Sequence, residues 1–387
     1  MAAYKRILLK LSGEALKGDE TGLFHYETLD AICAAIGKCR SEGVQVAVVV
    51  GAGNISHNAH LPAYKSVTNA KVVAICDLDI ERAKKAAEDF DIPHYYDSVT
   101  EMLANEDIDA VDICTWNNAH APVAIEAANA GKHVICEKPL TVSVENAEKI
   151  AAAIKANGVK FMLAVPGRFG NKNQYIRKML DSGELGEVYF GKTAYVRRRG
   201  TPYGWFTDKK TSGGGPIIDI GIHGIDAAWY LMGNPKPVRI SAQISNRIGD
   251  YQTKGVDRWI GTKCPDNRFD TEDSGCGVIH FENGACLMFE ASWAINGPAH
   301  SDTLICGTKA GVSLDPFKVY GERNGYLSDD AITMNDNNRF ASELTHFYDC
   351  VLNDKEPIYP IEQAILMQKM LNGIYESAEK GKEVEIV

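Results

Sequence analysis

The chain contains no run of eighteen apolar residues, so it has no candidate for a membrane-spanning helix. Its first residues, Met1-Ala-Ala-Tyr-Lys-Arg, lack the apolar core and small-residue cleavage site of a secretory signal. Together these absences predict a soluble, cytoplasmic protein. Closely spaced cysteines are missing too: the ten cysteines (33, 39, 76, 114, 136, 264, 276, 286, 306 and 350) lie far apart, mostly within apolar runs such as Val134-Ile-Cys136. That pattern offers no zinc-ligand pair and predicts buried, reduced thiols rather than a disulfide framework. Basic charge is in deficit, with 41 Lys and Arg against 51 Asp and Glu and a formal charge of -10, which repels a phosphate backbone and argues against a nucleic-acid partner. Internal repeats and low-complexity tracts are also lacking.

What is present is the composition of an ordinary globular enzyme, 45% apolar and 24% charged, in 387 residues, more than one hydrophobic core usually holds. From Val44 the chain alternates short β-branched runs with helical stretches. Strands are expected at 44–50, 71–76, 110–114, 133–136 and 160–165, with helices at 80–90, about 121–130 and 142–157. Strands alternating with helices at this spacing predict a doubly wound parallel sheet. Beyond about residue 167 the composition shifts to separated strand candidates (188–196, 238–245, 277–281, 285–292, 303–306) with few helices, which predicts a mostly antiparallel sheet. The closing stretch 361–380 is amphipathic and suited to pack back on the first domain.

Gly51-Ala-Gly53-Asn54-Ile55 follows the first of these strands. Glycines there let a dinucleotide pyrophosphate reach backbone N–H groups at a helix start, although Ser56 stands where the fingerprint expects Gly or Ala and an ordinary tight turn would read the same way. Asp77 closes the next strand at about the ~20-residue spacing of a ribose-binding carboxylate, or is a solvated strand-end acid. Leu78 and Asp79 follow it rather than an arginine, which favours NAD over NADP. Two further clusters sit at the ends of later strands, Thr115-Trp-Asn117-Asn-Ala-His120 and Glu137-Lys138-Pro139. Proline restricts Lys138 to extended backbone and directs it towards the crevice, while a surface ion pair with Glu137 is the plainer alternative.

A third cluster runs Gly213-Gly-Gly-Pro216-Ile-Ile-Asp219-Ile-Gly-Ile-His223-Gly-Ile-Asp226. Pro216 suits a helix start and Gly233 a stop, so Asp219, His223 and Asp226 are expected on one face. Alcohol oxidation needs a base for the hydroxyl proton. His223 fits that role, with Asp219 orienting it and Lys138 stabilising alkoxide charge. The alternatives are a core histidine capped by an aspartate, or a metal pair; no third ligand stands out, and no metal is expected.

Taken together, Gly51-Ala-Gly53-Asn54-Ile55, Asp77, Thr115-x-Asn117-x-x-His120, Glu137-Lys138-Pro139 and Gly213-Gly-Gly-Pro-x-x-Asp219-x-Gly-x-His223 resemble the Gfo/Idh/MocA oxidoreductases. The resemblance implies a Rossmann domain (44–166) and an α/β domain with a large open sheet (167–360), often used to form homodimers or homotetramers. It implies NAD held by Gly51, Gly53, Asn54, Ile55, Asp77, Thr115, Asn117, His120, Glu137 and Lys138. It also implies catalysis by Lys138, Asp219 and His223 on a sugar, glycoside or cyclitol. Trp116 replaces the usual proline of Thr-Pro-Asn, and Gly167 precedes Arg168 where a polar residue is usual. Arg168, the run Arg197-Arg198-Arg199, Trp205 and Trp293 are candidate walls of the substrate site. Residues 1–43 resemble instead the start of bacterial uridylate kinase, through Tyr4-Lys-Arg-Ile-Leu-Leu-Lys10-Leu-Ser12-Gly13. They are expected to form a structural appendage with a strand at 5–11 and a helix at 27–42. The reading is a sugar or cyclitol dehydrogenase; an enzyme recycling tightly bound NAD and a non-catalytic NAD-binding regulator are the alternatives.

Overall fold

The computed structural model describes residues 45–256 and 269–386. The strand and helix expected within residues 1–43 lie outside these residues. Six strands, β1 (Gln45–Val50), β2 (Ala70–Cys76), β3 (His94–Tyr96), β4 (Ala110–Ile113), β5 (His133–Glu137) and β6 (Phe161–Ala164), form a parallel sheet in the order β3-β2-β1-β4-β5-β6. Helices cover both faces, so the strands are continuous apolar runs: Ala47, Val48, Val49, Val111, Val134 and Ile135 are wholly buried. Local signals set the helix ends. Asp79 caps helix Ile80–Phe90 by accepting from Arg82 N, and Ser143 caps Val144–Asn157, which stops at Gly158 with φ 61°. Strand order reverses between β1 and β4, and the crevice beyond their C-terminal ends is where such sheets bind ligands.

The nine strands of the second sheet are β7 (Val188–Val196), β8 (Pro237–Ser245), β9 (Ser274–Phe281), β10 (Cys286–Ser292), β11 (His300–Gly307), β12 (Gly311–Leu314), β13 (Phe317–Arg323), β14 (Tyr326–Ala331) and β15 (Val384–Glu385). Their order is β14-β13-β12-β11-β7-β10-β9-β8-β15, with every pairing antiparallel except β7 with β10. Helix Ile222–Leu231 crosses β7, β10 and β11 and buries Ile222, Ile225, Ala228 and Trp229. The helix expected over 361–380 lies along β8 as well as helix Val144–Asn157, and so touches both sheets. Strands β12–β14 and helix Arg339–Leu352 lie outside the sequence expectations; for β13 and β14 the reason is that both faces of the hairpin carry charge. Its Asn324-Gly325 turn, at φ 53° and 81°, was the available signal.

The cysteine expectation holds in part. Cys76, Cys114, Cys136 and Cys350 are buried and free, whereas Cys276 is exposed and Cys286 and Cys306 are half-buried, since alternate residues of a sheet covered on one side face outwards. Among the described residues no helix is long and apolar enough to cross a membrane.

One strand breaks the apolar rule. Asp112, in the middle of β4, is wholly buried, and His60, also wholly buried, donates from Nδ1 to its Oδ2 at 2.8 Å and from Nε2 to Glu137 Oε1 at 3.0 Å. The Tyr64 hydroxyl donates to the same Asp112 oxygen at 3.1 Å and meets Tyr348 Oη at 2.8 Å. Burial alone would depress the His60 pKa, but the Asp112 carboxylate and the neighbouring Cys114 hold it well above the ordinary value, so the ring is an imidazolium clamped between two carboxylates. His60→Gln removes the only cation of that cluster and is expected to cost about 3–5 kcal/mol, because two buried carboxylates lose their counter-charge. The raised pKa of the folded state makes this stabilisation complete below ~6.5 and lost as pH rises through the elevated value. Urea unfolding of both proteins across pH checks it; equal midpoints at pH 6 would refute the clamp.

Candidate active site

The loops after β1, β4 and β5 frame the crevice. Gly51 has φ 101°, and a Cβ there would stand 2.5 Å from the Cys114 carbonyl oxygen, so only glycine lets β1 turn against β4. Gly53 differs: no heavy atom lies within 4 Å of where its Cβ would be, and Asn54 and Ile55 beside it are exposed. A side chain at Gly53 would fill the space that a pyrophosphate takes over the first-turn N–H groups, so the loop fits a dinucleotide. The helix begins as a π turn, Ser56–His60, which carries Ser56 and His60 into the core.

Asp77 ends β2 and is largely buried. Its carboxylate accepts from Ala52 N at 2.8 Å and Asp79 N at 2.9 Å, and a bidentate pair with Arg82 spans 3.0 Å and 2.5 Å. Arg82 was missed from the sequence. Leu78 and Asp79 directly after Asp77 give no sign of it, yet the first turn of the next helix returns residue 82 to the strand end.

Of the β4-loop residues, Thr115 is half-buried, while Asn117 and His120 are buried and spend their side chains on the framework. Asn117 Nδ2 donates to Ser212 O at 2.7 Å, which ties the β4 loop to the glycine stretch before Pro216. His120 Nδ1 donates to Pro139 O at 2.7 Å, and its Nε2 stands 3.2 Å from Thr115 O; burial lowers its pKa, so the ring is neutral. Glu137 is buried, with one oxygen on His60 and the other accepting from Lys138 N at 3.0 Å. Each of its oxygens thus carries a hydrogen bond within the protein. Burial opposes its charge, but His60 and then Lys138 keep its pKa below the usual carboxylate range.

Lys138, followed by a cis peptide to Pro139, is mostly buried and reaches across to the second domain. Its Nζ donates to the Asp219 carbonyl at 2.9 Å and lies 3.7 Å from Asp219 Oδ1. The expected helix from Pro216 begins as a π turn, Ile217–Gly221, and continues as α-helix to Leu231. Its start is held by Glu272, which accepts from Gly215 N at 2.9 Å, Ile217 N at 3.2 Å and the Tyr375 hydroxyl at 2.8 Å. A Cβ on Gly215 would collide with the Glu272 backbone, so the glycine stretch is also a packing requirement.

The expected three-residue stripe divides. Asp219 Oδ2 accepts from Trp293 Nε1 at 2.9 Å, and among the described residues no hydrogen bond joins Asp219 to His223. His223 is instead held neutral: removal from water lowers its pKa well below the ordinary value, and the charges of Lys138, Arg339 and Arg197 add to this. The expectation that Asp219 orients the imidazole thus finds no hydrogen bond among the described residues, and the nearby cations oppose protonation of the ring. Asp226 and Arg168 are wholly buried and paired at 3.0 Å and 2.7 Å; the other guanidinium edge donates to Ile358 O at 3.1 Å and Gln363 Oε1 at 2.7 Å, over the Tyr359 ring. Arg168 is therefore an internal bolt and not a substrate wall, since a buried guanidinium requires all its partners. Trp293, wholly buried, also leaves the wall and orients Asp219. Arg199 bonds Ile295 O at 2.9 Å and Asn296 Oδ1 at 2.7 Å. Trp205 stays half-buried and stacks with Trp116.

One described group, His60, Asp112 and Cys114, has ligand atoms within 4.8 Å of one another. Within it His60 Nδ1 donates to Asp112 Oδ2 at 2.8 Å and the Cys114 thiol donates to Asp112 Oδ1 at 3.5 Å, and burial pushes the Cys114 pKa far up.

Residues 46–165 match the NAD-binding Rossmann fold of the Gfo/Idh/MocA oxidoreductase family, and residues 173–313 match that family's C-terminal domain. The uridylate-kinase resemblance finds no support in these matches, which begin at residue 46. The D-glucoside 3-dehydrogenase of Escherichia coli is 33% identical over 87% of this chain and 96% of its own length. The scyllo-inositol 2-dehydrogenase (NAD(+)) of Bacillus subtilis is 27% identical over 80% and 87%. The crystal structure of an aldose-aldose oxidoreductase from Caulobacter crescentus, complexed with glycerol, superposes with a TM-score of 0.75 at 26% identity, covering 88% of this chain and 99% of that one. A parallel sheet ending in a glycine turn, a lysine reaching from it to a helix of an open-sheet domain, and matches to both domains together place this chain in the Gfo/Idh/MocA family of oxidoreductases.

Proposed function

We propose that the protein is an NAD-dependent dehydrogenase acting on a secondary alcohol carbon of a sugar, glycoside or cyclitol, with Lys138, Asp219 and His223 as its catalytic groups. The observation that carries this reading is the meeting of Lys138 Nζ with Asp219, which joins the end of the nucleotide sheet to the helix bearing His223. Bound NAD supplies the hydride acceptor. Gly51, Gly53, Asn54, Ile55, Asp77 and Thr115 are the residues that would hold it. A neutral His223 has a free lone pair to take the hydroxyl proton, and the three cations around it favour the alkoxide that forms as the proton leaves. Asp219, fixed by Trp293, keeps Lys138 in place. The names of the glucoside and inositol relatives support a polyhydroxylated ring as substrate. Exposed Tyr326 and Leu327 on edge strand β14 accord with assembly into a homodimer or homotetramer through the second domain.

A second reading, in which NAD stays bound and is recycled within one turnover, is favoured by the likeness to the aldose-aldose oxidoreductase. Steady-state release of NADH in the presence of one sugar separates the two.

His223→Ala is expected to lower kcat by about 10²–10⁴-fold in a screen of sugars and cyclitols, the usual worth of a positioned base. Because its pKa is depressed, His223 stays deprotonated as pH falls to ~6.5, so the acid limb of kcat/KM lies below that pH and disappears in the variant. An acid limb retained by His223→Ala would remove the residue from its role.

The proposed cofactor preference assigns Asp77, paired with Arg82, as the acceptor for the adenosine ribose hydroxyls. Asp77→Ser removes a charge that repels a 2′-phosphate and frees a guanidinium that attracts one. The ratio of kcat/KM for NADP to that for NAD is expected to rise about ten-fold or more, ~1.4 kcal/mol. An unchanged ratio in initial-rate measurements with both nucleotides would show that these residues do not set the preference.

A further inference from the structure

Trp116 has no part in the catalytic arrangement, yet it is 38% exposed at the mouth of the crevice. Its ring is stacked on Trp205, centroids 6.4 Å apart and planes within 21°, and Trp205 is stacked in turn on Phe206 at 3.9 Å and 29°. The three rings come from both sides of the crevice: Trp116 from the loop after β4, and Trp205 and Phe206 from the turn Trp205–Thr207 of the second domain. Bonds beside the stack hold it. Asn117 donates to Ser212 O at 2.7 Å and Asn118 to Lys210 O at 3.5 Å, so the Trp116 loop is fastened to the short helix Lys209–Ser212 that follows Trp205.

The stack has a definite place relative to the chemistry. Strands β4 and β5 are neighbours in register, Ile113 beside Cys136, and Trp116 and Lys138 stand three and two residues beyond those positions. Ser212, which Asn117 holds, opens the glycine stretch leading to Asp219 and His223. The exposed indole thus stands on the loop next to the one that carries Lys138. Trp205 lies beside it, offset and nearly parallel, and steadies the ring plane, while more than a third of the indole stays open to the crevice. Flat apolar platforms of this kind take the C–H face of a pyranose or an aromatic ring.

We infer that Trp116, backed by Trp205, forms a second-ring subsite, and that the substrate is a glycoside whose aglycone or second sugar ring stacks on Trp116 while the oxidised ring lies at Lys138 and His223. This inference rests on the polyhydroxylated-ring reading above and narrows it: a free monosaccharide or cyclitol leaves the platform unused.

The test measures binding apart from turnover. Titration calorimetry on the full-length protein with NADH present compares phenyl β-glucoside, cellobiose and glucose, in wild type, Trp116→Ala and Trp116→Phe. The wild type is expected to bind phenyl β-glucoside and cellobiose more tightly than glucose. The ratio of the phenyl glucoside constant to the glucose constant is expected to fall about ten-fold in Trp116→Ala and to be largely restored by Trp116→Phe. An equal ratio in wild type and Trp116→Ala, or no binding of either two-ring ligand, overturns the subsite. NADH formation is followed separately. Two-ring ligands that bind with the Trp116-dependent preference but yield no NADH uphold the subsite and sink the dehydrogenase reading. Turnover of glucosides with a ratio indifferent to Trp116 does the reverse.

Discussion

A buried imidazolium between two carboxylates underlies the site. His60 bridges Asp112 of β4 and Glu137 of β5, and Glu137's free oxygen fixes the backbone of Lys138. Two strands that a parallel sheet would otherwise join only by backbone hydrogen bonds are thereby linked at the point where the crevice opens. Three charged groups can be this deep only because each satisfies another; removing one leaves the rest unpaired in a medium that cannot solvate them. The lysine stands on that foundation.

Charge is sorted by depth around it. Three carboxylates near the crevice are neutralised or turned away: Asp226 by Arg168, Asp219 towards Trp293 and Lys138, Asp77 by Arg82. The positive charges of Lys138, Arg339 and Arg197 act with burial to keep the His223 ring neutral. A neutral imidazole suits removal of a hydroxyl proton, and the cations stabilise negative charge that develops on the substrate oxygen. The framework residues serve this arrangement indirectly. Asn117 and His120 spend their polar atoms tying loops together, so the crevice walls from two sheets keep one geometry.

Much of this was readable from residue order. The apolar runs of β1, β2, β4 and β5 and the helix at 80–90 emerged almost residue for residue, because a strand buried on both faces and an amphipathic helix leave strong periodic signals. The turn at Gly51 was equally plain: its positive φ and the nearness of the Cys114 carbonyl admit no side chain. Harder to see were the partners. Asp112 inside an apolar strand was a visible anomaly, but nothing local pointed to His60.

By itself, the sequence determined the doubly wound sheet, the glycine turn and the identity of Lys138, Asp219 and His223 as a candidate set, since periodicity and turn chemistry act over a few neighbouring residues. Only the tertiary structure decided which polar groups face the crevice. It buried Arg168 and Trp293, brought Arg82 onto Asp77 and Trp116 onto Trp205, and surrounded His223 with cations. The reason is physical: a side chain's burial and charge state depend on groups far away in the chain, and electrostatic and packing energies are set by distance in space rather than by separation in sequence.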